Sequence, residues 1–571
     1  MEANTRFGDV SSPGRGAFAF LASIALLGFG GLFLYVGIQH VLYPGFVETT
    51  EGDALQQIER IASGLSPYPK PGAEFVSLAY TPLYFFMAAP LYRVWGDAFT
   101  GPRLLSLTSA AAAGGLLAWI AWRESRSRVA AALAAALYFA GYALMDAYLT
   151  CALPDALLLF WLLLGYCFLG YGTTRLHDIA WLASFGLAFW TKQHGAFFFG
   201  FALLYALLFR RNALPRWAIV AAFLVLVPVA YVALGPALGE GFFYQTFVVP
   251  GRWEHKTIYA VRRVTFLLFA FVPFSVLLTL RWLRASNFLR DARHGRVAPL
   301  AWFTLSTLVA TTATMTAAGS SNNHFIPLVA ILASTAALGA RSLFGSDITR
   351  DLSVEVGLMA LGATAVSAAA QYAFRDHVVS PVPPVSLGLS LAGCLWLRRS
   401  RPPWAGVGAA TLLVLGQLAV SAYNPADFLP DPAFRSGLAR LRQAIGGLDG
   451  KLYWLPHGDV PAALTGMKIA RAPSWVVLDD VDRQEGVPGE ALRVLAPFRE
   501  SVLTGPTTFI LCDAHLSAVP YWRVLADHYV LTRDFGADFS AVRQIGIHWY
   551  SGRSYPRYLY QRVASAELPP R

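Results

Sequence analysis

Long apolar runs recur along the chain from residue 17 to residue 422, and most of the loops between them are short. The first is Ala17–Val36, and others follow near Pro102–Trp122, Val129–Asp146, Ala156–Tyr171, Ile179–Trp190 and Ala196–Phe209. Further runs lie near Trp217–Leu234, Val264–Trp282, Ala298–Thr316, Phe325–Leu343, Val354–Tyr372, Val385–Leu397 and Ala405–Ala422. In hydrocarbon only a helix satisfies its own backbone within one such segment. The pattern therefore predicts a polytopic α-helical membrane protein with about thirteen transmembrane helices. Composition agrees: 56% of the 571 residues are hydrophobic and 14% are charged, which excludes an ordinary soluble protein. Cys151, Cys167, Cys394 and Cys512 have no paired spacing, so neither a disulfide framework nor a cysteine zinc site is indicated. The first run lacks a small-residue cleavage site and is expected to stay as an uncleaved helix behind a polar tail, residues 1–16.

The net charge of +11 is explained by where the basic residues stand. Residues 123–128, Arg210–Arg211, 281–296 and 398–401 are rich in arginine and fall on alternate sides of successive runs, so they share one face. That face is read as cytoplasmic, together with the N-terminal tail, and topology accounts for the charge without nucleic acid as a partner. The loop 37–101, the loop before Asp155, Lys192–His194, Pro236–Arg263 and Gly319–His324 then lie on the opposite, periplasmic face. From residue 423 onward charges and prolines appear and no further spanning run occurs. Lys451–Leu455, Ser474–Leu478 and Thr507–Cys512 read as short strands, and Pro432–Ile445 and Gly489–Leu503 as helices. An odd number of spans puts this expected soluble α/β domain, residues 423–571, on the periplasmic side.

The first outer loop carries the most suggestive chemistry. Glu51 and Asp53 stand at the start of a short helix whose Leu55, Ile58, Ala62 and Leu65 fall on one face. Gln56, Gln57, Glu59 and Arg60 should face the other way, and Thr50 with Asp53 has the spacing of a capping box. Such a helix would lie in the membrane interface, as would the short apolar stretch Leu83–Trp95. Either carboxylate could simply cap the helix and complement its dipole, or act as a general base toward an incoming hydroxyl.

Other candidates share that face. Asp155 opens a span, where it could be a routine cap or a functional acid, and Asp146 at the other end of the same loop is a weaker case. Lys192 and His194 occupy a tight turn; the lysine could snorkel, but a cation on the outer face also suits an anionic ligand. Arg252, His255, Lys256, Arg262 and Arg263, mixed with Tyr244, Trp253 and Tyr259, would suit a phosphate at the interface. Asn323 and His324 belong to a polar turn that could bind sugar or phosphate, or be turn chemistry alone. Asp480 and Asp482 form a D-x-D, a motif short enough to arise by chance. Nucleotide-loop and zinc-protease motifs are absent.

Taken in order, several blocks resemble a family. Glu51 in the first outer loop is followed by Ile58 to Tyr68, by Tyr80-Thr81-Pro82-Leu83-Tyr84 and by Gly96 to Ser106; Pro154–Leu157, Thr191–Gln193 and Asn323–Phe325 come later. Over about residues 17–422 the chain resembles the GT-C superfamily of integral-membrane glycosyltransferases, the polyprenyl-phosphate-sugar mannosyltransferase-like group (family 39 and related). The resemblance implies inverting transfer of a sugar from a polyprenyl-phosphate donor to a glycan, lipid or protein acceptor at the periplasmic face of a bacterial inner membrane. It implies an outer-loop carboxylate as base, Glu51, although Glu51-Gly52-Asp53 departs from the family's Asp and leaves Asp53 open. Tyr80, Asp155, Lys192, His194, the basic loop and Asn323–His324 would hold the donor. No cofactor is called for, and a divalent metal is left open. A transporter or flippase for a lipid-linked or anionic substrate is the rival reading, though the acidic residues gather at one face rather than at mid-depth. A catalytically decayed scaffold of an envelope complex is a third.

Overall fold

The computed structural model describes residues 14–563 apart from 46, 49, 70–74, 76, 211–217, 219–220, 222–227, 253–254, 287–296, 318–321, 345–349, 374–381, 456–468, 471–501, 540–556 and a few shorter stretches. Ser474–Leu478, most of Gly489–Leu503, Trp253, Asp480 and Asp482 lie outside the described residues.

Among the described residues, helices occupy the apolar runs. In chain order they are α1 (Arg15–Val41), the loop helices α2 (Glu51–Ala62) and α3 (Leu83–Trp95), then α4 (Thr100–Ser125), α5 (Arg128–Ala140), α6 (Asp155–Tyr171), α7 (Arg175–Thr191) and α8 (Gly195–Phe209). After these come α9 (Pro228–Leu238), α10 (Thr257–Phe266), α11 (Pro273–Ala285), α12 (Pro299–Thr314), α13 (Ile326–Ser342), α14 (Arg350–Ala373), α15 (Val382–Ser400) and α16 (Ala405–Ser421). Among the described residues five helices are long and apolar enough to cross a membrane, which makes this a multi-pass membrane protein. The run near Val264–Trp282 departs from a single straight span. It bends by 92° where α10 and its continuation to Phe271 meet α11. Pro273 offers no N–H to the helix before it, and Val272 ahead of it leaves the helical region at φ −128°, ψ 35°.

Small residues set the closest helix contacts. Gly339 of α13 lies directly on the Leu278 carbonyl of α11, and Gly114 of α4 on the ring of Phe139, so each bare Cα admits a neighbour that a Cβ would displace. After residue 423, α17 (Pro432–Ile445) leads to a sheet of strands β1 (Lys451–Leu455), β2 (Ile469–Ala470), β3 (Thr507–Cys512), β4 (Tyr529–Asp534) and β5 (Tyr558–Arg562). The sheet order is β2-β1-β3-β5-β4, with β1 parallel to β2 and β3, and β5 antiparallel to β3 and β4.

The loop helix α2 differs from its amphipathic expectation. Gln56 and Gln57 are buried along with Leu55 and Ile58, while Leu65 is exposed. Its first eight residues are all enclosed by the bundle, so this helix is part of the protein core rather than a float in the lipid interface. The capping box is also absent. The Thr50 hydroxyl turns back to donate to the Glu48 carboxylate, and the Thr50 side chain does not cap α2.

Candidate active site

Glu51 and Arg103 form the floor of the site. Arg103 enters at the first turn of α4 and is wholly buried, as is Glu51. Its Nε donates to Glu51 Oε1 at 2.7 Å and one Nη2 hydrogen to Oε2 at 2.6 Å. The remaining donors go to the carbonyls of His40, Tyr43 and Gly45, so all five guanidinium hydrogens are used. Glu51 is equally saturated, because Oε1 also accepts from the Ala152 amide at 2.6 Å and Oε2 from the Val47 amide at 3.0 Å. Every lone-pair direction of the carboxylate is occupied. The pair ties the end of α1, the start of α2, α4 and the loop before α6 into one unit. For a carboxylate expected to take a proton from substrate, this is the geometry of a structural ion pair.

That floor is extended by a strained turn. Between α5 and α6 the chain runs through a tight helical stretch, Gly141–Leu149, in which Asp146 is buried with φ 53° and ψ −153°. A non-glycine residue in this region stores of order 1–3 kcal/mol of strain, which the surrounding packing must hold. From there Thr150 meets His40 Nδ1 at 2.8 Å and the Tyr142 hydroxyl at 2.9 Å, while His40 Nε2 donates to the Phe428 carbonyl at 2.6 Å.

Above the floor stands a second ion pair. Asp155, the first residue of α6, accepts from Lys192 Nζ at 2.7 Å, and both side chains are almost wholly enclosed. Lys192 closes α7, and its ammonium lies 4.6 Å from the centre of the Tyr80 ring. Burial opposes the charge on Lys192, but Asp155 and Tyr80 outweigh it and its pKa rises above the ordinary lysine value. Tyr80 is pushed up as well, by burial first, with Lys192 opposing and Asp155 and Glu48 adding. Asp155 Oδ2 is buried with no hydrogen-bond partner.

Histidines continue the arc. The His194 ring lies 4.6 Å from that of His324, which is within electrostatic reach of Lys192 and Arg263. Burial, and then Lys192, hold the His194 pKa down to about 3, so this imidazole is neutral at physiological pH. Arg263, in the last turn of α10, donates to Asn322 Oδ1 at 3.1 Å and faces the Phe325 and Tyr259 rings. Asn323 is buried in the same short turn.

The structure thus brings Tyr80, Asp155, Lys192, His194, His324 and Arg263 into one neighbourhood. Arg252 closes a one-turn helix, Val249–Arg252, and its side chain lies outside the described residues. Lys256 and Arg262 are exposed, and Lys256 is anchored through its own amide to the Thr316 carbonyl at 2.8 Å. Beside it His255 meets the Thr316 hydroxyl at 2.9 Å. Asp53 is buried in the first turn of α2. Two residues were not among the sequence's site candidates. Arg103 lies in the Gly96–Ser106 block of the resemblance and carried a signal, a cation at the mouth of an apolar run. Glu48 carried none; it accepts from the Thr50 amide at 2.6 Å and the Tyr148 hydroxyl at 3.3 Å, within electrostatic reach of Tyr80.

This arrangement of helices, loop helices and sheet is a known fold. Two solved structures of ArnT from Cupriavidus metallidurans share it. The one bound to undecaprenyl phosphate superposes with a TM-score of 0.54 at 17% identity, over 95% of this chain and 99% of that one. The apo form gives 0.52 at 17% identity, over 97% and 100%. Neither a family model nor a curated protein matches the sequence.

Proposed function

We propose that the protein is an inverting glycosyltransferase that takes a sugar from a polyprenyl-phosphate donor and delivers it to an envelope acceptor. The observation that carries this reading is the meeting of Lys192, Arg263 and two histidines with enclosed carboxylates, within a fold shared with a protein solved with undecaprenyl phosphate. Lys192 and Arg263 would neutralise the donor phosphate, and neutral His194 and His324 could donate to its oxygens. A phosphate so neutralised leaves without a protein acid. Tyr80 covers Lys192 and keeps it out of water.

Asp53 is the base in this reading, because Glu51 is saturated by Arg103 and two backbone amides. Glu48 is a second candidate, favoured by its closeness to Tyr80 and so to the Lys192–Asp155 pair. The chain would cross the inner membrane about thirteen times. Its N-terminus would be cytoplasmic and residues 423–571 would form a periplasmic domain beside the acceptor site.

The test is transfer from radiolabelled polyprenyl-phosphate sugars in proteoliposomes. Lys192→Met should abolish turnover in folded protein, and Asp53→Asn should lower kcat by roughly 100-fold or more. If Glu48→Gln is the dead variant instead, the base is Glu48. If wild type turns over no donor but moves a lipid-linked anion across vesicles, the protein is a transporter.

A further inference from the structure

The donor arrangement leaves a second group of buried polar atoms unused. Gln57 of α2 and Gln245 are both at 0% exposure. Neither the oxygen nor the nitrogen of either side-chain amide makes a hydrogen bond. An amide buried without partners carries its full desolvation cost, so each such group needs an explanation.

Gln57 stands at a cluster of aromatic rings, and Gln245 is tied to the same cluster through its backbone. Gln57 approaches the Tyr68 phenol without completing a hydrogen bond. Gln245 lies one turn beyond Gly241, whose amide donates to the Tyr68 carbonyl at 3.0 Å. The Tyr68 ring meets Phe242 edge-on at 5.0 Å, and Phe242 lies parallel to Trp190 and 4.8 Å from Tyr231. Trp190 and Tyr231, at its edge, are only partly buried. The backbone from Tyr244 to Val248 forms a π-helical turn, a form that recurs at functional sites.

The cluster adjoins the donor site. The Tyr68 hydroxyl donates to the Tyr80 carbonyl at 2.6 Å. Gln193, next to Lys192, donates its amide to the Ala79 carbonyl and keeps a buried Oε1 with no partner. None of these ring and amide residues is charged. Apolar faces edged with groups that both donate and accept match a ring bearing hydroxyls on its rim and C–H groups on its faces. The nearest charges are those of the Lys192–Asp155 pair beside Gln193 and of Asp53 one turn before Gln57.

We propose that Gln57, Gln193 and Gln245, with the rings of Tyr68, Trp190, Tyr231 and Phe242, form a subsite for a neutral sugar ring. The subsite takes an uncharged hexose or pentose. The inference deepens the glycosyl-transfer reading and rests on it for whether the ring belongs to donor or acceptor.

Saturation-transfer NMR on the detergent-solubilised full chain tests it, with methyl mannoside, methyl glucoside and methyl arabinoside against glucosamine and glucuronate. Gln57→Leu and Gln245→Leu are compared with wild type, and Gln57→Met is a second variant in case the leucine fails to fold. Wild type should bind at least one neutral glycoside saturably, and each substitution should weaken it roughly 10- to 100-fold. The melting temperature should hold or rise, because an apolar side chain relieves an unpartnered amide. Absence of any neutral binding, tighter binding of a charged sugar, or unchanged binding in the variants overturns the proposal. Variants that melt higher yet bind as wild type mean that water alone fills the site.

A transfer assay then separates the sources. A loss in kcat/KM that follows donor concentration assigns the ring to the donor; one that follows acceptor assigns it to the acceptor. If wild type transfers sugar but the variants keep full kcat/KM, the subsite fails while the transfer reading stands. If neutral glycosides bind yet no donor is turned over, the transfer reading fails and the subsite stands.

Discussion

Two carboxylates that look interchangeable in the sequence differ once their partners are known. Glu51 accepts four hydrogen bonds, two of them from a guanidinium that spends its other donors on the carbonyls of His40 at the end of α1 and of Tyr43 and Gly45 beyond it. Removing one member of such a buried pair leaves the other charged and unpaired, which typically costs about 3–5 kcal/mol. Glu51→Gln is therefore expected to lower the unfolding midpoint in detergent strongly, and Arg103→Lys to do the same, since an ammonium has three donors for five acceptors. Should Glu51→Gln melt like wild type while losing all transfer, Glu51 is the base and the structural reading of the pair is wrong. Asp155 and Lys192 behave differently. Their pair keeps one carboxylate oxygen without a donor, which is the mark of a group open to a ligand or water.

At the scale of elements, the site is held where helix ends meet. Asp155 begins α6, Lys192 ends α7, Arg263 is in the last turn of α10, and His324 sits in the turn before α13. These ends keep their positions because the helices behind them pack closely. At Gly339 of α13 a Cβ would strike the Leu278 backbone of α11. Overpacking of this kind costs about 1–3 kcal/mol. Gly339→Ala should lower the melting temperature, whereas Gly186→Ala in α7, with open space at its Cβ, should leave it unchanged or raise it. Equal melting of both variants would mean that α11 and α13 are not packed at that distance. The bend at Val272–Pro273 was legible in principle, since proline breaks the helix before it, but an apolar run reads as continuous when only hydropathy is weighed.

For the whole molecule, the proposed orientation places the N-terminus and the arginine-rich loops in the cytoplasm and residues 423–571 outside. Reporter fusions check it: alkaline phosphatase joined after residue 423 or at the C-terminus should be active, and fused in the loop at residues 123–128 inactive. The reverse pattern would move the candidate site to the cytoplasmic side, where a lipid-linked donor facing the periplasm could not reach it.

Hydropathy and charge placement were sufficient for a helical membrane protein, for the strands Lys451–Leu455 and Thr507–Cys512, and for the helix Pro432–Ile445. They also singled out Asp155, Lys192, His194, Arg263 and His324, because a polar residue at the end of an apolar run is costly and stands out, whereas Tyr80 came in with the family resemblance. Such features are local, and each can be read within a window of some twenty residues. The roles within the loop were decided elsewhere. Glu51 is held in an ion pair because Arg103, 52 positions away, folds back on it. The capping box failed because Thr50 found Glu48 first. Gln57, expected to face outward, is enclosed, with the Tyr68 phenol beside it. Which hydrogen-bond acceptor a buried donor takes depends on every group within about 3 Å, and chain order does not say which those are.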